Sequence, residues 1–495
     1  MFQTNKASMS ILILFCCIVS CWAQKPTSIM DSSSVIANLQ SGNQRLLPNN
    51  NVFFDNLSQD VGPGFGNQQH KYAWSMQEFG NHLYIGTNTV GYDLTSAVLD
   101  SGFRGCLRNI TGGILGLFDC LDPFIRQDGG QIWRLSYDTG SWEVALDSNE
   151  EAFYSGFRRM EVYNGRIYAT AATRVEEEAS FFLISSTDGT NWEKEDDGPQ
   201  GGLASRAMTV YQNMLYVGLD GFPSVSGVPE AAELWNYDGT TWTYLSDAPF
   251  GNSGGVGELL VHDDKLWIGI TNDVSRDTSF GLYTYDGTSF DDTVAPDLTT
   301  YTAWDGIQYD LGAIGSNNLG VSTMISYNGQ LWVGTANFID GFSLFVTDGS
   351  GGDWELVTAD GFGDDRNTYA WQMLEFEGRF LIGTFNSGFL RLLISQEIEL
   401  RSMFDFRGTG ELWSLSLDEA KKFESIRLPA GWGCADWGIR TMKSCFNGAR
   451  MCIGSASNFF WPQVPQLLAR WLGAGTEIWS VEEIPDDFNV FESWP

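Results

Sequence analysis

Seven positions share one place in a recurring phrase, and five of them carry side chains suited to holding an anion or a ring. They stand two residues before Met76, Met160, Met208, Leu259, Met324, Met373 and Met442, and read Trp74, Arg158, Arg206, Gly257, Ser322, Trp371 and Arg440. A guanidinium is a planar fork that matches carboxylate, sulfate or phosphate. An indole offers a flat face to a sugar ring or a cation. Three arginines at equivalent places stand out in a chain with 28 Lys and Arg against 62 Asp and Glu. Trp74, Arg158, Arg206, Trp371 and Arg440 are therefore the ligand-binding candidates. The competing account is that each arginine pairs with an acidic neighbour between repeats.

Groups that could move a proton are few. The chain has three histidines, His70, His82 and His262. His70 and Tyr72 precede the first anchor and are the catalytic candidates, as a base acting beside Arg158 and Arg440. His82 and His262 fall at turns on the opposite side. No serine-nucleophile motif, phosphate loop or HExxH metal site is present. Carboxylates are so abundant that spacing singles out no hydrolase pair. No metal-ligand cluster is expected, although the acidic stretches Asp147–Glu151 and Asp360–Asp365 could hold calcium outside any EF-hand pattern. No other cofactor is expected.

The elements that must position these groups come from the phrase itself. Its copies include MQEFGNHLYIGT from Met76, MTVYQNMLYVG from Met208 and MISYNGQLWVGT from Met324. The copy from Met442, MKSCFNGARMCIGS, is irregular. A second phrase follows, as in LWNYDGTTW from Leu234, LYTYDGTSF from Leu282 and LFVTDGSGGDW from Leu344. Asp-Gly between alternating apolar runs is a hairpin turn. Each repeat thus predicts four short antiparallel strands, here A, B, C and D in chain order. Anchors at 160, 208 and 259, and at 324 and 373, lie roughly fifty residues apart, about the length of such a unit.

This pattern resembles β-propeller repeats, and the Leu-Trp-Val-Gly-Thr run is similar to the short repeats of bacterial sensor ectodomains. The turn Ser186-Thr187-Asp188-Gly189-Thr190-Asn191-Trp192 resembles a shortened sialidase Asp-box, which in its family holds blades together and does no catalysis. The resemblance covers residues 51–481 and implies an all-β, single seven-bladed propeller. It also implies that strand A is innermost and that ligands bind where strand A begins. Some propeller-shaped polysaccharide lyases combine Tyr, His and Arg at that place. GFGNQQHKYAWSM from Gly64 and GFGDDRNTYAWQM from Gly361 occupy the same register before blades 1 and 6. The segment from Asn51 before the first copy should therefore supply an outer strand to the last blade and close the ring. Long B–C loops in blades 6, 7 and 1, with the connection at 297–318, should raise a wall over one side of the mouth.

Residues 1–23 read as an export signal, with Lys6 before the apolar stretch Ser10–Ser20 and a small residue, Ala23, at the cleavage point. Ile18-Val19-Ser20-Cys21 also fits a lipobox, which would anchor the chain through a lipid on Cys21. Residues 24–50 form a polar leader, and 51–495 the propeller. No other stretch is apolar enough to span a membrane. In an oxidising compartment Cys106 and Cys120 should form a disulfide, and Cys434 should pair with Cys445 or Cys452. Asn56 and Asn109 lie in glycosylation sequons, giving a glycoprotein in a eukaryotic host.

A net charge of −34 argues against a nucleic-acid partner. The reading that follows is a secreted or surface-anchored monomer that binds a carbohydrate, an anionic polymer or a surface protein at the channel mouth. Two alternatives accompany it: a lyase or hydrolase acting on a charged polysaccharide, and a structural matrix or cell-wall protein.

Overall fold

The computed structural model describes residues 52–494 with breaks, the longest at 93–124, 220–231, 272–280, 389–409 and 458–474. Export signal, Cys21, polar leader, Asn109 and the Cys106–Cys120 pair all lie outside the described residues. So do most of the long B–C loops of repeats 1, 6 and 7.

The fold is an all-β propeller built from antiparallel meanders. In the first, strands Tyr72–Phe79, His82–Asn88, Gln131–Ser136 and Trp142–Asp147 pair in sequence order. Five more meanders follow the same plan, and a seventh supplies three strands of its own. Their first strands, labelled A as above, are Gly156–Tyr163, Ala207–Tyr211, Gly255–His262, Gly320–Tyr327, Asn367–Phe376 and Asp436–Cys445. Asp-Gly turns join C to D where the sequence places them. The carboxylates of Asp188, Asp238 and Asp286 each accept backbone N–H bonds from the residues two and three further on. The Asn191 backbone bond foremost holds the Asp188 carboxyl well below the usual carboxylate range, and the Thr288 hydroxyl, with the backbone bonds, does the same for Asp286.

Successive meanders pack face to face, because strands A and B alternate apolar side chains on both faces. One apolar cluster joins Tyr327, Trp332 and Val346 of the fifth meander to Met373, Phe380 and Trp413 of the sixth. Another joins Cys445, Cys452 and Ile478 of the seventh to Ala73, Leu83 and Ile85 of the first. Burying a side chain of this size contributes roughly 1.5–3 kcal/mol.

The glycine of the Gly-Thr phrase has a packing cause. A Cβ on Gly269 would lie 2.5 Å from Val321 of the next strand A, and one on Gly454 would lie 2.5 Å from Ala73. Only a residue without a side chain lets the neighbouring strand approach so closely.

The chain ends add strands at outer edges. Asp55–Asn56 pairs with Ile478–Val481 of the seventh meander. Val490–Trp494 pairs with Phe423–Ile426 and gives the sixth meander a fifth strand, which the repeat does not encode. Asn56 directs its side-chain amide to Glu477 at 3.1 Å.

Two sequence expectations need correction. Cys445 and Cys452 bond to each other, not to Cys434, because the A–B hairpin of the seventh meander brings their Cα atoms to 5.9 Å. The described part of the connection at 297–318 also does not wall the mouth. Its strands Thr300–Thr302 and Gln308–Asp310 form a small hairpin. Trp304 of that hairpin donates its indole N–H to Glu355 and stacks near Phe423, so it lies against the outer strands of the fifth and sixth meanders.

Candidate functional site

Six of the seven A strands carry the same irregularity. Pairing with strand B skips Trp74, Arg158 with Arg159, Gly257, Ser322, Trp371 and Arg440. These are the residues two before each anchor, and each sits in a β-bulge. In the third meander, Arg206 immediately precedes its strand, which begins at Ala207. A bulge re-aims side chains that strict alternation would send elsewhere. As a result, consecutive residues of one strand, such as Trp74, Ser75 and Met76, reach the same space.

That space is a cavity of about 540 Å³ between the A strands. All seven bulge-position residues line it: Trp74, Arg158, Arg206, Gly257, Ser322, Trp371 and Arg440. The anchors Met76, Met160, Leu259, Met324, Met373 and Met442 supply an apolar layer beside them. Among the described residues five cationic side chains line the cavity, those of Arg158, Arg159, Arg206, Arg440 and Lys443, against one carboxylate, Glu258.

Glu258 pairs with Arg159 at 3.1 Å. Burial pushes the Glu258 carboxyl up, opposed by Arg159. Burial and the nearby Arg206 push Arg440 down to about 9, which leaves it charged at neutral pH. Among the described residues no carboxylate lies within ion-pair distance of Arg440. Burial also pushes the Lys443 ammonium down, and that ammonium donates to the Gln77 side chain. Tyr369 is pushed up by burial, and Arg206, Arg158 and Arg440 all pull it back. These three guanidiniums, from the third, second and seventh meanders, therefore bear on one hydroxyl.

The two tryptophans are each matched to an arginine of the next meander. The Arg158 guanidinium lies 5.1 Å from the ring centre of Trp74, and that of Arg440 lies 5.3 Å from Trp371. Both distances are within cation–π range. Glycines two residues before each arginine make room for the indoles. A Cβ on Gly156 would lie 2.7 Å from Trp74, and one on Gly438 would lie 2.6 Å from Trp371. Tyr72 of the first meander meets Trp371 of the sixth edge-on at 6.2 Å.

The two proton-transfer candidates separate. Tyr72 lines the cavity. His70, two residues earlier, is buried, and its Nδ1 lies 2.9 Å from the Gly64 carbonyl oxygen. It is not among the cavity's lining residues, because the Gly-rich turn before the strand folds over it. Gly64 has φ +62, and a Cβ there would press on the His70 backbone at 3.2 Å.

Of the two acidic stretches weighed for calcium, residues 149–151 of Asp147–Glu151 lie outside the described residues, and Asp360–Asp365 is described. Asp360 accepts from the Thr358 hydroxyl at 2.6 Å and the Tyr309 hydroxyl at 3.0 Å. Asp364 pairs with Arg366 at 2.6 Å. Among the described residues no group of three metal-ligating side chains comes together, and no helix is long and apolar enough to cross a membrane.

Sequence reasoning missed Arg159, Lys443, Tyr369 and Glu258. Arg159 adjoins Arg158, and in a regular strand the two would face opposite ways. The bulge cancels that rule and leaves no mark in the sequence.

No family model matches the chain, and no curated protein matches it. Solved structures do. The β-propeller domain of the Trilobed protease from Pyrococcus furiosus is 7% identical, covers 78% of this chain and 92% of its own, and has a TM-score of 0.38. A structure from an analysis of two prolyl endopeptidases is 11% identical and covers 87% of this chain, with a TM-score of 0.43. This chain spans about half of its length, 52%. A GH43_1 enzyme from Xanthomonas citri complexed with xylose is 8% identical, covers 72% of this chain and 88% of its own, and has a TM-score of 0.32. Likenesses this distant transfer no activity.

Proposed function

We propose that the seven meanders are the blades of one closed propeller, with Asp55–Asn56 as the outer strand of the last blade, and that its central cavity binds an acidic carbohydrate. One observation carries the binding reading. A chain of net charge −34 lines its cavity, among the described residues, with five cations and one carboxylate. Chance placement from an excess of acidic residues would give the opposite sign. Tryptophan faces beside the guanidiniums suit a ring that bears a carboxylate or sulfate. A cavity of about 540 Å³ falls in the range of small-ligand sites. Excess positive charge in a low-dielectric recess favours an anion more than the same groups would in open solvent.

The chain acts outside the cell in this reading. The amino-terminal sequence fits export, and the Cys445–Cys452 bond is compatible with an oxidising compartment.

A second reading, cleavage of the bound carbohydrate, is favoured by Tyr72. Tyr72 lines the cavity together with Arg440, whose charge it favours. A tyrosine beside a guanidinium can serve as the base that removes a proton next to an arginine-held carboxylate.

Affinity electrophoresis in gels cast with uronic, sulfated and neutral polysaccharides separates the readings. Retardation by the acidic polymers alone is the expected outcome. Equal retardation by neutral ones contradicts it. Release of unsaturated oligosaccharides in the same incubations, lost in Tyr72→Phe, would add the enzymatic reading.

A further inference from the structure

The two tryptophan–arginine contacts are copies of one module. In each, a blade offers Trp at its bulge, and the next blade offers Gly and Arg two residues apart: Trp74 with Gly156 and Arg158, then Trp371 with Gly438 and Arg440. The copies lie on blades 1 and 2 and on blades 6 and 7, which are contiguous across the junction of last and first blades. The residues two before the anchors run along that arc as Trp371, Arg440, Trp74, Arg158, Arg206, so Trp and Arg alternate over the first four. The other two, Gly257 and Ser322, are small and line the cavity beside Glu258 and Thr323. Tyr72 of blade 1 meets Trp371 of blade 6 edge-on and so links the two modules.

Resting on the acidic-carbohydrate reading, we infer that the cavity holds two adjacent subsites, each a Trp–Arg pair, and so recognises two consecutive acidic sugar units. Each unit lays its ring by an indole and its anion on the paired guanidinium. Each subsite alone is weak, because one exposed ring contact and one charge-assisted bond contribute little in water. Linked units bind more tightly, because the second engages at the high effective concentration set by the first. Arg206 extends the arc and favours a third anion at one end. The face beside Gly257 and Ser322 admits the rest of the ligand.

Calorimetric titration of the full chain tests this with galacturonate, digalacturonate, a disaccharide bearing two sulfate esters, and neutral cellobiose. Digalacturonate or the disulfated disaccharide should bind about 10-fold or more tightly than galacturonate, and whichever does so identifies the anion. Arg158→Met and Arg440→Met should each bring the disaccharide to the level of the monosaccharide. Arg158→Lys and Arg440→Lys, which keep the charge and protect against a folding artefact, should fall between. Arginine-dependent binding of galacturonate with no gain for either disaccharide overturns the paired subsites and leaves a single acidic-sugar site. If none of the acidic sugars binds, the acidic-carbohydrate reading falls as well.

Discussion

Arg440 is the residue whose surroundings are least comfortable without a ligand. Its neighbours include Arg206 and Arg159, burial works against its charge, and its guanidinium lies 5.3 Å from the Trp371 ring centre. Like charges held together in a recess destabilise the fold unless an anion arrives. Arg440→Met should therefore leave the melting temperature unchanged or raise it, while weakening acidic-sugar binding by about 10-fold or more. Thermal unfolding with and without digalacturonate reads both effects. A large drop in melting temperature would mean that the guanidinium is structural. The five arginine and tryptophan candidates were legible in the sequence because the anchors fix a common register. His70 shows the limit of that method. It lies two residues from Tyr72, but the turn around Gly64 buries it, and such a turn depends on left-handed backbone that spacing does not reveal.

At the scale of the element, the bulge and the B-strand glycine act together. The glycine lets the next A strand approach, and the bulge turns that strand's polar residues into the cavity. The repeat made strands and turns readable, since Asp-Gly and alternating apolar residues are local signals. Bulges, the fifth strand Val490–Trp494 and the Cys445–Cys452 pairing depend on what lies across the sheet, and so were not readable. Junctions between blades make a specific demand. Gly454 faces Ala73 and the Thr441 hydroxyl, each 2.5 Å from a Cβ placed on it. Gly454→Ala should destabilise the chain by about 1–3 kcal/mol through overpacking. Gly448→Ala, at an open turn with φ +86 and nothing within 4 Å, should cost only its backbone strain, about 1 kcal/mol. Chemical denaturation of both variants checks the ranking. An equal or smaller loss for Gly454→Ala would remove the tight contact between Gly454 and Ala73.

For the whole molecule, surface and cavity have opposite electrostatic characters. The net charge of −34 keeps the chain soluble and repels long polyanions at low salt. The cavity's cations act only at short range, within a screening length of roughly 10 Å at 0.1 M salt. Such a molecule selects the end or a short stretch of an acidic chain. It does not coat a polymer as a basic surface would. This contrast was half legible: composition gave the acidic shell and the anchor register gave three cations, but the bulges concealed Arg159 and Lys443. The central claim is that the cavity, despite that shell, is an anion site. Equilibrium titration of digalacturonate and cellobiose against the native chain and the triple variant Arg158→Met, Arg206→Met, Arg440→Met tests it most directly. The account predicts saturable binding of the acid but not the neutral sugar, with the acid's affinity falling by about 100-fold or more in the variant. Equal binding of both sugars, or unchanged affinity in the triple variant, would contradict it.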